Sequence, residues 1–91
     1  MRRWVVLVSG VVIHLERDEV RARAALEQLG RERGLELGEA ADWARVPAVL
    51  ETSGSRAGRE AVEGLERTDG VVRVDVVFVG VDSGEGAQPW T

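Results

Sequence analysis

The run Trp4-Val5-Val6-Leu7-Val8-Ser9-Gly10-Val11-Val12-Ile13-His14-Leu15 constrains this chain more than any other stretch. Branching at Cβ restricts χ1 and suits a pleated backbone, so a run in which five of the apolar residues are Val reads as a β-strand. Apolar side chains occupy odd and even positions alike, so neither face is marked for solvent in the way strict alternation would mark it. Such a strand belongs in the middle of a sheet. Both of its faces are covered, or one waits for a partner.

A chain of 91 residues with 44% hydrophobic and 31% charged residues supplies one small core and no second one. Its formal net charge of −4 works against the phosphate backbone of nucleic acid, so no nucleic-acid partner is expected. Cysteine is absent, which excludes disulfides, thiolate metal sites and a Cys nucleophile. Met1-Arg2-Arg3 before an apolar run imitates a leader, but His14, Glu16, Arg17 and Asp18 break the run and no small-residue cleavage site follows. Nothing approaches the roughly 20 apolar residues that span a bilayer. The expectation is a cytoplasmic protein without membrane insertion.

After the first strand, Asp18 precedes Ala22, Ala25, Leu26 and Leu29, a single apolar stripe at helical spacing. Its carboxylate can accept from the free N–H groups of a first turn, and Gly30 can close the helix in a left-handed conformation, giving a helix over 18–29. Val20 lies off this stripe. The segment 34–38 alternates apolar and charged residues between glycines and reads as a short strand. Residues 39–45, with Trp43, form a loop or helical turn. Residues 46–52 read as a third strand, with Pro47 near its start because proline removes a ladder donor. Ser55 then caps a second helix over 56–67, whose Gly58, Ala61, Val62 and Leu65 make one stripe; Gly58 lets helix and sheet approach. Residues 71–79 are the last strand, with Val72, Val74, Val76 and Phe78 facing the helices. From Asp82 the composition turns to Ser, Gly, Glu, Gln and Pro, so 1–81 is read as the domain and 82–91 as a flexible acidic, Gly-rich tail.

Strand, helix, strand, strand, helix, strand is a split, doubled βαβ unit: an α+β, ferredoxin-like βαββαβ fold, with a four-stranded antiparallel sheet and two helices on one face. The other face stays open.

Catalytic chemistry finds little to stand on. His14 is the single histidine, and no second imidazole or thiol completes a zinc set. Ser9 lacks the G-x-S-x-G elbow and reads as a small residue at a strand kink. The carboxylates sit on helix faces and loops, where solvation explains them. Without Lys there is no Walker motif, and no G-x-G-x-x-G follows a strand. Acylphosphatases share this architecture but need an Asn–Arg pair, and the chain has no Asn; the fold's copper carriers need C-x-x-C. The reading is therefore a non-enzyme without cofactor or metal.

Binding remains. Residues of opposite parity to the core would present Val8, Val12 and His14 from the first strand, Val49 and Glu51 from the third, and Asp75, Val77 and Val79 from the last. Apolar ground set with carboxylates suits an amphipathic segment with a basic end. The residues alone leave a second occupant equally open: another copy, in a homodimer that buries the same face.

Ser9-Gly10-Val11-Val12-Ile13-His14 before a charged helix start resembles the first strand of the NapD family, cytoplasmic chaperones of the periplasmic nitrate reductase. Val49-Leu50-Glu51-Thr52 is similar to that family's third strand, and Gly70-Val71 leading to Val76-Val77-Phe78-Val79 to its closing strand, so the resemblance spans about 7–80. Arg33-Gly34 stands where the family usually has Pro-Gly, Phe78-Val79-Gly80 where its last strand often ends in Tyr-His, and the Ala40 to Arg45 insert is long. The resemblance implies a ferredoxin-like chaperone whose sheet surface binds the twin-arginine signal peptide of a molybdoenzyme catalytic subunit. Export would then wait for cofactor insertion, with Glu51 and Asp75 meeting the cationic end of the peptide. The alternative is a ferredoxin-like regulatory or oligomerisation module, binding a small ligand or dimerising.

Overall fold

The computed structural model describes residues 5–40, 42 and 44–83. Six elements follow one another: β1 (Val5–Leu15), α1 (Glu19–Leu29), β2 (Leu35–Leu37), β3 (Arg45–Thr52), α2 (Ser55–Glu66) and β4 (Val71–Ser83). The strands form one sheet in the order β2-β3-β1-β4, with every neighbouring pair antiparallel. This is the ferredoxin-like arrangement expected from the order of elements. The run that opens the chain is a central strand, flanked by β3 and β4.

One face of β1 carries Ser9, Val11, Ile13 and Leu15, all buried. Val46, Ala48 and Leu50 of β3 share that face, and Ala22, Ala25 and Leu29 of α1 with Leu65 of α2 close the core over it. β3 thus alternates between core and surface, and burying its inward set drives the pairing. Gly58 lies where α2 comes down on the sheet: a Cβ there would meet Leu7 Cδ2 at 3.0 Å and Thr52 Oγ1 at 3.1 Å. The close approach expected of this glycine is present.

Asp18 caps α1 as anticipated, its Oδ1 accepting from the backbone N–H of Val20 at 2.9 Å and of Arg21 at 3.3 Å. Val20, off the stripe, is 76% exposed. Gly30 ends the helix, but in the right-handed region (φ −64°), not the left-handed one. Its N–H still reaches Leu26 O at 2.9 Å, so the last turn needs no reversal. Among the described residues the left-handed glycines are Gly34 and Gly70, at the turns that lead into β2 and β4.

Ser55 is not the cap of α2. Gly54 takes that place in extended backbone, its carbonyl accepting from Gly58 N–H at 2.8 Å, so Ser55 is already in the first turn. Arg21 links α1 to the loop before it and to the loop after α2, with Nη2 2.7 Å from Asp69 Oδ1 and Nη1 3.2 Å from Glu16 Oε1.

The last strand departs from its expected pattern. β1 pairs Gly10 with Phe78 but Val11 with Val76, so Val77 is an extra residue in β4; Val72 is extra in the same way between Arg73 and Val71. Each such β-bulge reverses the parity of the strand beyond it. Val74 is buried, Val76 is 48% exposed on the same side, and Val72 is 61% exposed. Phe78 lies opposite Gly10, on the face away from the helices, and Val79 lies opposite Ser9 on the helix side. The strand runs on to Ser83, beyond the Val79 end read from alternation. Trp43, Trp90 and tail residues 84–91 lie outside the described residues.

Candidate functional site

Both helices pack on one face of the sheet, so the other is available. On β1 it is formed by Val8, Gly10, Val12 and His14, on β3 by Arg45, Pro47, Val49 and Glu51, on β2 by Glu36, and on β4 by Arg73, Asp75, Phe78 and Gly80. Between β4 and β2 lies a shallow depression of about 290 Å³, lined by Gly10, Val12, Glu36, Gly38, Pro47, Val49, Val77 and Phe78 among others. Its lining is almost entirely apolar, with Glu36 the one charged residue.

Two features of the backbone build this depression. The bulge at Val77 swings Phe78 onto the open face, and Gly10 leaves room for its ring. A Cβ at position 10 would overlap that ring. On the far side, the regular alternation of β3 brings out Pro47 and Val49 while its even residues stay in the core. The result is a floor of aliphatic side chains with one aromatic wall, 54% exposed at Phe78 and 61% exposed at Val77.

Charge on the face is divided between its two ends. At the end where β1 finishes, His14 Nε2 lies 2.8 Å from Asp75 Oδ2 and Arg73 Nε 3.5 Å from the same oxygen. Arg45, beside His14 in register, lies 3.7 Å from Asp42. Asp75 is thus already engaged within its own fold, hydrogen-bonded to the His14 ring and paired with Arg73. At the other end, Glu51 pairs in register with Val8, and Glu36 with Val49. Glu36 and Glu51 together border a second recess around Val49, and neither forms an ion pair with another described residue.

Of the residues singled out from sequence, Val8, Val12, His14, Val49, Glu51, Asp75 and Val77 all lie on this face. Val79 does not: it lines a groove on the helix side with Leu7, Ser9 and Val62, because the bulge reverses its parity. Glu51 and Asp75 also do not act together. They lie at β1 positions Val8 and Val12, four residues apart, or about 13 Å at ~3.3 Å per residue, on opposite sides of β1. The carboxylate beside Glu51 is Glu36, which the reading of the residues missed. The alternation Leu35-Glu36-Leu37 carried the signal, since two inward leucines turn the middle residue outward. Phe78 and Gly10 were missed because a bulge leaves no mark in a stretch as rich in valine as 71–81.

The arrangement does not assemble a nucleophile. Ser9 is buried on the core face while His14 is on the open one, so the hydroxyl and imidazole are on opposite sides of the sheet. Among the described residues no group of three His, Asp or Glu side chains is placed to hold a metal ion, and no helix is long and apolar enough to cross a membrane.

Fold and face together define a ferredoxin-like domain with one sheet surface that none of its described helices covers. No family model and no curated protein sequence matches the chain. Among solved structures it is similar to the solution structure of the E. coli Tat proofreading chaperone protein NapD, with a TM-score of 0.69 over 94% of this chain and 90% of that one, at 20% sequence identity. The likeness extends over nearly the whole of both chains and establishes the shared fold.

Proposed function

We propose that this protein is a cytoplasmic proofreading chaperone that binds, on its open sheet face, the twin-arginine signal peptide of a molybdoenzyme catalytic subunit. In this role it delays export until the cofactor is in place. The observation that carries the reading is the apolar depression between Phe78 and Val49, bordered by Glu36, with Glu51 beside the adjoining recess around Val49, on the fold of a Tat proofreading chaperone. A signal peptide joins an arginine pair to an apolar stretch. The stretch would lie across Val12, Val49, Val77 and Phe78, removing apolar area from water on both sides, at roughly 25 cal/mol per Å². The arginine pair would meet Glu36 and Glu51, where long-range attraction orients the peptide more than it tightens it. Asp75, already matched by His14 and Arg73, would take a lesser part. No step of this role needs bond chemistry, in keeping with a site that binds and releases.

A heteronuclear NMR titration of the labelled protein with a peptide carrying an arginine pair and an apolar stretch tests the proposal. Shifts are expected at Val8 to His14, at Glu36, at Pro47 to Glu51 and at Asp75 to Phe78. A titration that leaves these resonances in place while the peptide is in excess would remove the chaperone reading.

A further inference from the structure

The two edges of the sheet are treated differently. β2 is an edge of three residues with Glu36 at its centre, short and charged in the way natural sheets discourage pairing with another chain. β4 is an edge of thirteen residues. From Val76 to Val81 it has no charge and no proline, and Val76, Val77, Phe78, Val79 and Val81 are each at least 48% exposed. No described residue pairs with its outer edge. Isolated exposed valines need no explanation, but a long apolar row along an open ladder is a template for another strand.

We propose that this edge pairs with the same edge of a second copy, β4 antiparallel to β4 around a two-fold axis, so that two sheets become one and both open faces stay free. The bulge at Val77 selects the register. Opposed residues in an antiparallel pair share a face, and the bulge makes Val74, Val76, Val79 and Val81 one set and Arg73, Asp75, Phe78 and Gly80 the other. Placing Val76 opposite Val79 of the second copy keeps every pair within its set: Val74 meets Val81, Val77 meets Phe78, and Asp75 meets Gly80. Between residues 74 and 81 the one charged residue, Asp75, then faces Gly80 of the second copy, so the apolar centre pairs with no like charges set against each other. Because the two-fold repeats each match, one strand supplies both halves of a self-complementary interface. An extended segment of another protein would satisfy the ladder, but only a second copy meets this bulged parity pattern twice.

Sedimentation velocity of the full chain across a concentration series tests the pairing. The expected result is a species of twice the chain mass. Val76→Lys should raise its dissociation constant by roughly tenfold or more by setting a charge against an apolar partner. Val79→Glu should do the same. An equimolar mixture of the two variants should recover the dimer, because each mixed interface sets the introduced ammonium against the introduced carboxylate once and keeps one native contact of Val76 with Val79. Circular dichroism melts of both variants establish that they are folded, and either alone suffices for the loss. A chain that sediments at single mass at every concentration overturns the proposal, as does a dimer that both substitutions leave intact. Protection of amides on the open face and not along β4 would equally overturn it.

Discussion

β3 and β4 flank the same strand and pair with it in the same sense, yet they are built on different rules. β3 alternates without a break: Val46, Ala48 and Leu50 are buried, and Arg45, Pro47, Val49 and Glu51 look out. β4 is interrupted twice, and of its apolar residues from 72 to 81 only Val74 is buried. A regular strand divides its side chains between core and surface by position alone. A bulged strand redistributes them, and here the redistribution brings the Phe78 ring onto the open face. The difference teaches that half of the candidate site follows from periodicity and the other half from a backbone irregularity.

Substitutions can break this contrast, and the largest effect should come from β3. Leu50→Ala is expected to cost ~2–5 kcal/mol in urea unfolding, while Val49→Ala, one residue away and outward, should stay within about 0.5 kcal/mol. Equal costs at the two positions would show that β3 does not divide core from surface. Next comes Gly10→Val, which should destabilise by ~1–3 kcal/mol because its branches would occupy the space of the Phe78 ring. Adding Phe78→Ala should return most of that loss, and a cycle without coupling would place the ring elsewhere. On binding, Phe78→Ala and Val77→Glu should each weaken an arginine-pair peptide by about tenfold or more in calorimetric titration while the fold melts nearly as before. Val62→Ala, a control on the helix side, should leave binding unchanged, and a loss there would move the site to the opposite face. The smallest effect is expected from Glu36→Gln and Glu51→Gln, a few-fold weakening each that shrinks as salt is raised. An effect of the same size at Asp75→Asn would mean that its His14 and Arg73 partners release it to the ligand.

Much of the architecture was legible in the residues. The two-sided apolar run of β1 announced a central strand, the stripes Ala22-Ala25-Leu29 and Gly58-Leu65 announced two helices for one face, and Asp18 announced where the first begins. Wherever a side chain's direction depends only on its place in a regular repeat, reading the repeat places it, as it placed Val8, Val12, His14, Val49 and Glu51. The failures share one cause. Val71 to Val81 is so rich in valine that no change of period marks the bulges at Val72 and Val77, so Phe78 was assigned to the core and Val79 to the open face. The conformation of Gly30 at the end of α1 and the role of Ser55 at the start of α2 depart from the sequence reading for a related reason. A glycine permits a left-handed turn without requiring one, and a serine next to an extended glycine can as well begin a turn as cap it.

By itself the sequence determined which segments are strands and helices, which of their faces are apolar, and the absence of cysteine, asparagine and lysine chemistry, because these depend on local pattern and composition. Only the tertiary structure decided that Phe78 stands over Gly10, that Glu36 joins Glu51 beyond Val49, and that Asp75 is taken by His14 and Arg73. Those relations hold between residues far apart in the chain. They are set by strand register, and register is a property of two strands together, which one bulge is enough to shift.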